Sequence, residues 1–397
     1  MNAPGSGAAA ALKDRAASTV ARDSTALVDL SHRIHATPEL GFEEESASTW
    51  CAEQLADVGM SVQMGICDLP TAFVASAGSG PFVLAICAEY DALPGIGHAC
   101  GHNVIASAAI GAGRALAPIA DDLGITVRVL GTPAEEGGGG KVLMMERGGF
   151  DGVHAAMMVH PAPGELDRMP CLAVEHFDVV YRGKEAHASA FPERGINAAD
   201  ALIVAQVAIG LLRQHADYGD QVHGIVTLGG AAPNIVPALT RAKYYVRART
   251  LAALESWSPR VRRCFEAGAI ATGATLEIVP QGPTYSEFHT DEAMADLYRA
   301  NASALGRVFP PPGNRTMSGS TDMANVSLAI PAIHPMLGLD SLPAVNHQPE
   351  FTAAAGGPVA DQAVLDGATA MAWTVIDLAL SPPERERLTA SAYRHGA

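Results

Sequence analysis

The chain has 397 residues, 48% of them hydrophobic and 17% charged, which is enough apolar material for one large or two ordinary domains. It carries 26 Lys and Arg against 42 Asp and Glu, a formal net charge of −16. Because phosphate contacts need clustered Lys and Arg, this balance argues against nucleic acid and against a membrane surface as partners. The six cysteines have no regular spacing, which is typical of reduced thiols in a cytoplasmic protein.

Helix and strand patterns alternate in the first part of the chain. Helical patterns cover residues 24–35, 43–59 and 98–116, and short buried apolar runs at 82–88 and 125–131 predict strands. These runs are far shorter than the roughly 20 residues that a membrane-spanning helix needs. The alternation predicts an α/β domain with helices on both faces of a mainly parallel sheet. In such sheets the functional site lies beyond the carboxyl ends of the strands.

The rhythm changes after Pro170. Strands are predicted at 172–182, 224–228, 241–250 and 275–280, with helices at 197–215 and 251–272. This β-α-β-β-α-β order is that of a ferredoxin-like α+β unit. We therefore expect a catalytic domain formed by residues 1–173 and 289–397, with a second domain inserted at 174–288.

Four short segments concentrate side chains that bind metal ions, and three of them follow strand-like apolar runs. They contribute Asp91, His98, Cys100 and His102 (residues 88–103), Glu135 and Glu136 (131–141), His160 (157–163) and His347 (345–351). The carboxyl ends of parallel strands meet at one edge of a sheet, so these segments are expected to converge there.

Thiolate, imidazole and carboxylate groups all bind Zn²⁺ and related ions. A Cys and a His two residues apart, two distant His and a carboxylate would make five protein ligands. Five exceed the four of a closed structural zinc site, which points to two ions that share one ligand and activate a water. If Glu136 binds metal, Glu135 is placed to act as general base. Taken singly, each residue also has a structural explanation, since a lone cysteine such as Cys100 is usually a small buried hydrophobe.

A further histidine lies in the segment at 183–197, inside the predicted insertion. His187 follows a predicted strand and precedes Ser189. From a lid, such a histidine could stabilise the oxyanion of a reacting carbonyl. The alternative is a surface histidine in a turn.

These motifs together resemble those of the M20 metallopeptidase family. The resemblance rests on DALPGIGHACGHN (91–103), GTPAEEGGGGK (131–141), VHPAP (159–163), GKEAHASAFPERGINAADA (183–201) and APNIVP (232–237). RIHATPELGFEEE (33–45) and SGSTDMANVS (318–327) also fit. The match is closest to the amidohydrolase subgroup, which contains aminoacylase-like, indoleacetyl-amino-acid and aminobenzoyl-glutamate hydrolases.

The resemblance implies a role for each residue of the metal centre. Cys100 resembles a thiolate that bridges two divalent ions, and Glu135 resembles the general base. Asp91 is similar to a residue that orients a ligand imidazole, as metal-bound histidines usually require. The remaining ligands would be His102, Glu136, His160 and His347.

The resemblance also implies roles for the inserted domain, which would be a lid and a dimerisation domain. His187 matches a lid histidine that reaches the site of the partner subunit in related dimers. Asn234 and Arg247 fall where relatives hold the carboxylate of the substrate. A homodimer through the lid is therefore expected.

Two positions depart from the commonest pattern of the family. Asn103 stands where many subgroup members have Asp, and with TDMANVS it resembles the branch of mammalian-type M20 dipeptidase-like proteins. Asn346 precedes His347 in NHQPEF, where HTPEF is more usual. Residues beside the metals shape the pocket, so both changes are expected to bear on the substrate.

The resulting prediction is a metal-dependent hydrolase that cleaves the amide of an N-acyl or N-aroyl amino acid with a dimetal-activated water. Zn²⁺ or Mn²⁺ is the expected ion, and Co²⁺ or Ni²⁺ fits the same ligands. An aminohydrolase that releases ammonia and a dipeptidase acting on β-alanyl-type dipeptides are the alternatives within the enzymes. Two alternatives are not enzymes: a protein whose zinc site is only structural, and a non-catalytic binding protein.

Overall fold

The structure is a computed structural model that describes residues 6–311, 319–390 and 392–396. It divides into two compact units. The second unit is Cys171–Glu287 with the short segment that ends at Ser320, and the other described residues form the first unit. The predicted insertion at 174–288 differs from this division at its start and end by a few residues, and the segment ending at Ser320 was not expected.

Helices and strands alternate through the first unit and follow the β-α-β-β-α-β order in the second. The helices are α1 Ser6–Arg22, α2 Ser24–Ala36, α3 Glu45–Ala56, α4 His102–Leu116, α5 Gly140–Glu146, α6 Ala198–Leu212, α7 Leu251–Thr272, α8 Glu292–Ala304, α9 Met323–Ala329, α10 Pro349–Ala355, α11 Pro358–Leu380 and α12 Pro382–Thr389. The strands are β1 Ser61–Met64, β2 Phe73–Ala77, β3 Phe82–Ala88, β4 Ile125–Gly131, β5 Ala155–Met157, β6 His160–Ala162, β7 Ala173–Arg182, β8 Gln221–Leu228, β9 Leu239–Ala248, β10 Thr275–Pro280, β11 Ala332–Ile333 and β12 Met336–Gly338.

The first unit contains a mixed six-stranded sheet in the order β1-β2-β4-β3-β5-β11. The four strands from β4 to β11 are parallel neighbours, while β1 and β2 add antiparallel strands at one edge. Side chains of β3 alternate between two apolar cores, with Leu84 and Ile86 in one and Ala85 and Cys87 in the other. Both faces are therefore buried, which is why the sequence of β3 is continuously apolar.

Helices cover both of these faces, as the sequence predicted. Helices α2, α4 and α11 contribute to the larger core, and α5 and α9 to the smaller one. Helix α11 is long and apolar enough to cross a membrane by length and composition alone, and 72% of its most apolar window is buried. The sequence expectation about apolar runs overlooked it because aspartates such as Asp366 interrupt the run.

The second unit has a four-stranded antiparallel sheet in the order β10-β7-β9-β8. Side chains of β9 alternate between buried and exposed, and the buried ones pack with α6 and α7. The sheet thus has one face covered by helices, as the predicted ferredoxin-like order requires. Strand β8 lies at an edge and is exposed along almost its whole length.

One local prediction, the start of α4, was wrong in a way that matters for the site. Helix α4 begins at His102 rather than at residue 98, because Gly101 takes a left-handed conformation with φ 79°. His160 follows an apolar run, as predicted, and it begins the short strand β6, where it pairs with Met336 of β12. His102 and His160 are therefore the first residues of α4 and β6, directly after the segments that follow β3 and β5.

Candidate metal centre

The loops that follow the parallel strands of the first unit carry its polar residues. Glu89 and Asp91 follow β3, Glu135 follows β4, and His160 follows β5. Adjacent parallel strands end at the same edge, so their loops bring these side chains together although the chain separates them widely. The convergence expected from the sequence is present.

Cys100, His102 and His160 offer a first group of metal-binding atoms. One atom from each lies within 4.8 Å of the others. The Cys100 Sγ and the His160 Nε2 are 3.4 Å apart. His102 is completely buried and Cys100 is 7% exposed, so this group is largely shielded from solvent.

Cys100, Glu136 and His347 offer a second group, which shares the thiol with the first. His347 Nε2 lies 3.3 Å from Glu136 Oε1. The backbone N–H of His347 donates to the carbonyl of Ala99 at 2.8 Å, and His347 itself has φ 68°. This contact fastens the distant C-terminal loop beside the thiol.

The distances in both groups fit metal coordination. Two nitrogen or oxygen ligands at about 2.1 Å from one tetrahedral ion lie about 3.4 Å apart, and a sulfur and a nitrogen about 3.6 Å. The observed 3.4 Å and 3.3 Å separations agree with these values. The buried Nε2 of His102 also has no hydrogen-bond partner among the described residues, as expected of an atom that would hold an ion.

Asp91 orients the first of these ligands. His102 Nδ1–H donates to Asp91 Oδ1 at 2.9 Å, and the backbone N–H of Glu136 donates to Asp91 Oδ2 at the same distance. Because Nδ1 carries the proton, the lone pair of a neutral His102 ring is on Nε2. Asp91 therefore contacts one residue of each group, and its carboxylate favours the His102 tautomer that leaves Nε2 unprotonated and able to hold an ion.

The lack of a side chain at Gly101 and the side-chain amide of Asn346 allow these loops to approach closely. A Cβ at Gly101 would stand 2.5 Å from Pro161 Cγ, so the turn between Cys100 and His102 accepts only glycine. Asn346 Nδ2–H donates to the carbonyl of Pro161 at 3.0 Å. Asn346, which departs from the usual family pattern, thus connects the His347 loop to the strand that begins at His160.

Glu135 is 6% exposed, and the carboxylates of Glu89 and Glu136 are near enough for their charges to act on it. Its Oε2 is 3.9 Å from His102 Nε2. Burial raises the pKa of Glu135 well above its usual value, and the charges of Glu89 and Glu136 add to this rise. A raised pKa makes the Glu135 carboxylate a stronger base, which suits a group that accepts a proton and returns it.

The Cys100 thiol experiences opposing influences. Burial alone would raise its pKa, but the nearby imidazoles of His160 and His102 outweigh burial and lower the pKa well below its usual value. A thiolate is the form of cysteine that binds metal. The surroundings of Cys100 thus favour the form needed for coordination.

Sequence reasoning missed a buried charge cluster next to these ligands. Lys141 Nζ donates to Glu89 Oε1 at 2.5 Å and to Asp322 Oδ1 at 2.8 Å, and all three side chains are completely buried. Glu89 also belongs to a third group of possible ligand atoms, with His102 and Glu135. The only signal in the sequence was an acidic residue directly after the apolar run of β3.

A second missed residue is His334. It is 4% exposed, its ring lies 5.3 Å from that of His160, and neither ring nitrogen has a partner among the residues described. The available signal was a repeated His-Pro pair, which begins β6 at 160–161 and directly precedes β12 at 334–335.

Asn103 does not line the centre, contrary to the expectation that it would shape the pocket. Its Nδ2 donates to Ser31 Oγ and to the carbonyl of Ala355, both at 2.9 Å. The side chain is completely buried and joins α4 to α2 and α10. Its amide is thus a structural donor.

The predicted lid residues all lie in the second unit. The exposed His187 accepts at Nδ1 from the backbone N–H of Ser189 and of Ala190, at 3.3 and 3.2 Å. A neutral ring bonded in this way carries its proton on Nε2 and presents an N–H at its tip. The carbonyl of Asn234 accepts from the backbone N–H of Ala188 at 3.0 Å, which places Asn234 beside the His187 segment.

Arg247 lies on β9. Its Nη1 donates to Ser320 Oγ at 2.6 Å, and its guanidinium stands 5.7 Å from the centre of the Tyr245 ring. Ser320 belongs to the segment that the second unit takes from the later part of the chain. The arginine is therefore held in place from two sides.

Comparison with known proteins identifies the family. The model of peptidase family M20/M25/M40 matches residues 85–368. The chain belongs to this family. An Xaa-Arg dipeptidase of Mus musculus is 37% identical over 96% of this chain and 92% of its own length. One of the subunits of p-aminobenzoyl-glutamate hydrolase from Escherichia coli is 33% identical over 64% of this chain and 57% of its own length.

A solved structure resembles the whole fold of this M20 chain. It is a dinuclear metal-binding peptidase of the M20 family from Bacillus subtilis, with 22% identity and a TM-score of 0.61 over 89% of this chain and 98% of that one. At this level of identity the likeness concerns the fold. This likeness confirms the predicted fold class, and the family match with the curated relatives confirms the prediction of a metal-dependent amidohydrolase.

Proposed function

We propose that this M20 chain hydrolyses the amide bond of a small substrate with two divalent ions, held by Cys100, His102 and His160 and by Cys100, Glu136 and His347. The observation that carries the proposal is the pair of ligand groups that share the Cys100 thiol. When bound, the two ions would supply an activated water and polarise the carbonyl of the substrate. The soft thiolate favours Zn²⁺, and the imidazole and carboxylate ligands also suit Mn²⁺.

Glu135 is the general base in this proposal. Its carboxylate takes a proton from the attacking water and returns it to the departing amine, so that one residue serves both halves of the reaction. Two features support the role, namely its burial and its position 3.9 Å from the Nε2 of His102. Asp91 keeps the His102 imidazole in its metal-binding tautomer throughout.

For the substrate we propose a dipeptide or an N-acyl or N-aroyl amino acid, with dipeptides that end in arginine as the first candidates. The relative from Mus musculus that spans nearly the whole chain is an Xaa-Arg dipeptidase. The net charge of −16 also favours a substrate with a basic side chain, since opposite charge raises the local concentration of a ligand. His187 would stabilise the oxyanion, and Asn234 and Arg247 would hold the carboxylate of the substrate.

We also propose a cytoplasmic homodimer that forms through the second unit. Ile203, Val207 and Leu211 are 56–71% exposed and form one apolar stripe along α6, because they are four residues apart. Such stripes commonly mark protein interfaces.

The substitution Val207→Glu should shift the protein from dimer to monomer in analytical ultracentrifugation. Gln63→Glu, which adds the same charge at an exposed residue of β1 in the first unit, is the control and should leave the dimer intact. A monomeric wild-type protein would refute the dimer.

The function is tested by a hydrolysis screen with and without added Zn²⁺ or Mn²⁺. The panel contains dipeptides ending in arginine, N-acyl and N-aroyl amino acids, and β-alanyl dipeptides, with free amino acid and free ammonium measured separately. We expect metal-dependent release of an amino acid. Ammonium without amino acid would instead establish an aminohydrolase, and unfolding on chelation would indicate a structural metal.

The variant Glu135→Gln tests the base. It should retain its metal ions but lose turnover by at least about 100-fold, since general-base catalysis contributes roughly that much or more. Glu53→Gln, an exposed residue of α3, is the matched control and should keep full activity. An active Glu135→Gln enzyme would overturn the assignment.

A further inference from the structure

Glu89 is a buried carboxylate that the proposed reaction does not use. It follows β3 directly and is completely buried. Its Oε1 accepts from Lys141 Nζ, whereas its Oε2 has no hydrogen-bond partner within the described part of the chain. An unsatisfied buried carboxylate oxygen is costly, so it calls for a partner that the protein side chains do not supply.

The free oxygen of Glu89 faces an equally unsatisfied atom. Glu89 Oε2 and His102 Nε2 lie 3.6 Å apart, and both are buried without a hydrogen bond among the described residues. Asp91 accepts the proton of His102 Nδ1, so a neutral ring presents a lone pair at Nε2. A lone pair and a carboxylate oxygen repel each other unless a proton or a metal cation lies between them.

The separation of these two atoms is also that of ligands on one ion. Two ligands at about 2.1 Å from a tetrahedral ion are about 3.4 Å apart, close to the 3.6 Å between Glu89 and His102. The corresponding distance from Glu135 to His102 is longer, at 3.9 Å. The Glu89 separation is thus the nearer of the two to the coordination value, and Glu135 keeps the role of base that the proposed function gives it.

The charges of the cluster point the same way. Lys141 lies between Glu89 and Asp322, so two buried carboxylates surround one ammonium group. Asp322 alone can neutralise Lys141, and it accepts from both the ammonium and the backbone N–H of Lys141. One buried negative charge then remains, and an uncompensated buried charge is strongly destabilising. A cation next to Glu89 would balance it.

We propose that Glu89 is a further ligand of the ion held by Cys100, His102 and His160. The proposal rests on the two-ion centre proposed above. It gives that ion four protein ligands, while the ion held by Cys100, Glu136 and His347 has three. Four protein ligands make a closed zinc site and three leave an open position. The Glu89 ion should therefore be retained longer when metal is removed.

Metal retention tests the proposal. Purified Zn²⁺-loaded protein is dialysed against increasing chelator, and the ions per chain are counted by elemental analysis. The wild type should lose its two ions in separate steps. The Glu89→Gln variant should bind the ion held by Cys100, His102 and His160 at least about 10-fold more weakly. The two ions should then be lost at the same chelator concentration or in the opposite order. Two steps at unchanged chelator concentrations would overturn the proposal.

Asp322→Asn is the matched control, because it removes the other carboxylate that contacts Lys141. It removes a charge but no proposed ligand, so the tighter ion should be weakened clearly less than in Glu89→Gln, and the two chelation steps should stay separate. An equal loss of metal in Asp322→Asn and Glu89→Gln would show that Glu89 acts through Lys141, which also refutes coordination. A wild type that binds no metal would instead overturn the proposed function itself.

Crystals of the Zn²⁺-loaded wild type provide a measurement that does not depend on a variant folding. The proposal expects Glu89 Oε2 at about 2.0–2.2 Å from the ion bound to His102. Zinc–oxygen bonds are about 2.0–2.2 Å long. A Glu89 oxygen about 3 Å or more from a well-occupied ion would therefore not be a ligand and would refute the proposal.

Discussion

Glu44 offers a quantitative test of how burial supports the metal loops. Its carboxylate is completely buried, and it accepts from Thr71 Oγ1–H at 2.9 Å and from the backbone N–H of Ala134 at 2.8 Å. Ala134 has φ 56°, a left-handed conformation that is unfavourable for a residue with a side chain, and it directly precedes Glu135. Glu44 thus secures a strained turn beside the proposed base.

The cost of ionising Glu44 follows from its pKa. Burial, with a smaller contribution from the charge of Asp91, raises the pKa of Glu44 from 4.5 to about 7. The difference of about 2.5 pKa units corresponds to roughly 3 kcal/mol. Because the folded state binds this proton more tightly than the unfolded state, the stabilisation is complete below pH 4.5 and is lost as the pH rises through about 7.

The substitution Glu44→Gln removes this titration. The amide can still accept from Ala134 and can donate to the Thr71 hydroxyl, so both contacts of the side chain survive. We expect the variant to match the wild type near pH 4.5 and to exceed its free energy of unfolding by up to about 3 kcal/mol above pH 7.

Urea unfolding from pH 4.5 to pH 8.5 at a fixed metal concentration measures the difference, with tryptophan fluorescence as the probe. Glu43→Gln is the matched control, because it makes the same change at the exposed neighbouring residue and should show no such trend. A difference between Glu44→Gln and wild type that stays constant with pH would refute the reasoning, as would a variant that is less stable at high pH.

Two further substitutions separate the metal centre from its support. Cys100→Ser should lower the metal content measured by elemental analysis, since the thiol belongs to both ligand groups; full occupancy would exclude the bridging role. Asn103→Asp should lower the free energy of unfolding by about 1–3 kcal/mol, because it removes the amide donor to Ala355 and Ser31. Its metal content should stay unchanged, and a loss of metal without a loss of stability would contradict the structural role of Asn103.

The strands and helices of the fold could largely be predicted from the sequence. Strands β3 and β4 and helix α7 have the bounds that the apolar patterns predicted, since each is a regular run with polar or glycine residues at its ends. Predictions failed where regular patterns stop. The start of α4 was placed too early because the turn at Gly101 depends on its contact with Pro161, which lies sixty residues further along the chain.

The candidate ligands could also be named from the sequence, because thiol, imidazole and carboxylate groups recur there in recognisable motifs. Their arrangement could not. The second group, which shares Cys100 with the first, depends on His347. The backbone N–H of His347 donates to the carbonyl of Ala99, almost 250 residues earlier in the chain. Asn103 stands beside a ligand in the sequence, yet helix geometry turns its side chain towards α2 and α10.

Composition and motif alone therefore determined the family, the order of the elements and the kinds of atoms available for chemistry. The tertiary structure decided which of these atoms meet, and it added Glu89, which no motif singled out. The physical reason is that a strand's sequence specifies which side chains are apolar, whereas the neighbours of a residue beyond its end depend on which strands pair. Here the parallel pairing of β3 with β4 and β5 brings Glu89, Glu135 and His160 to one edge.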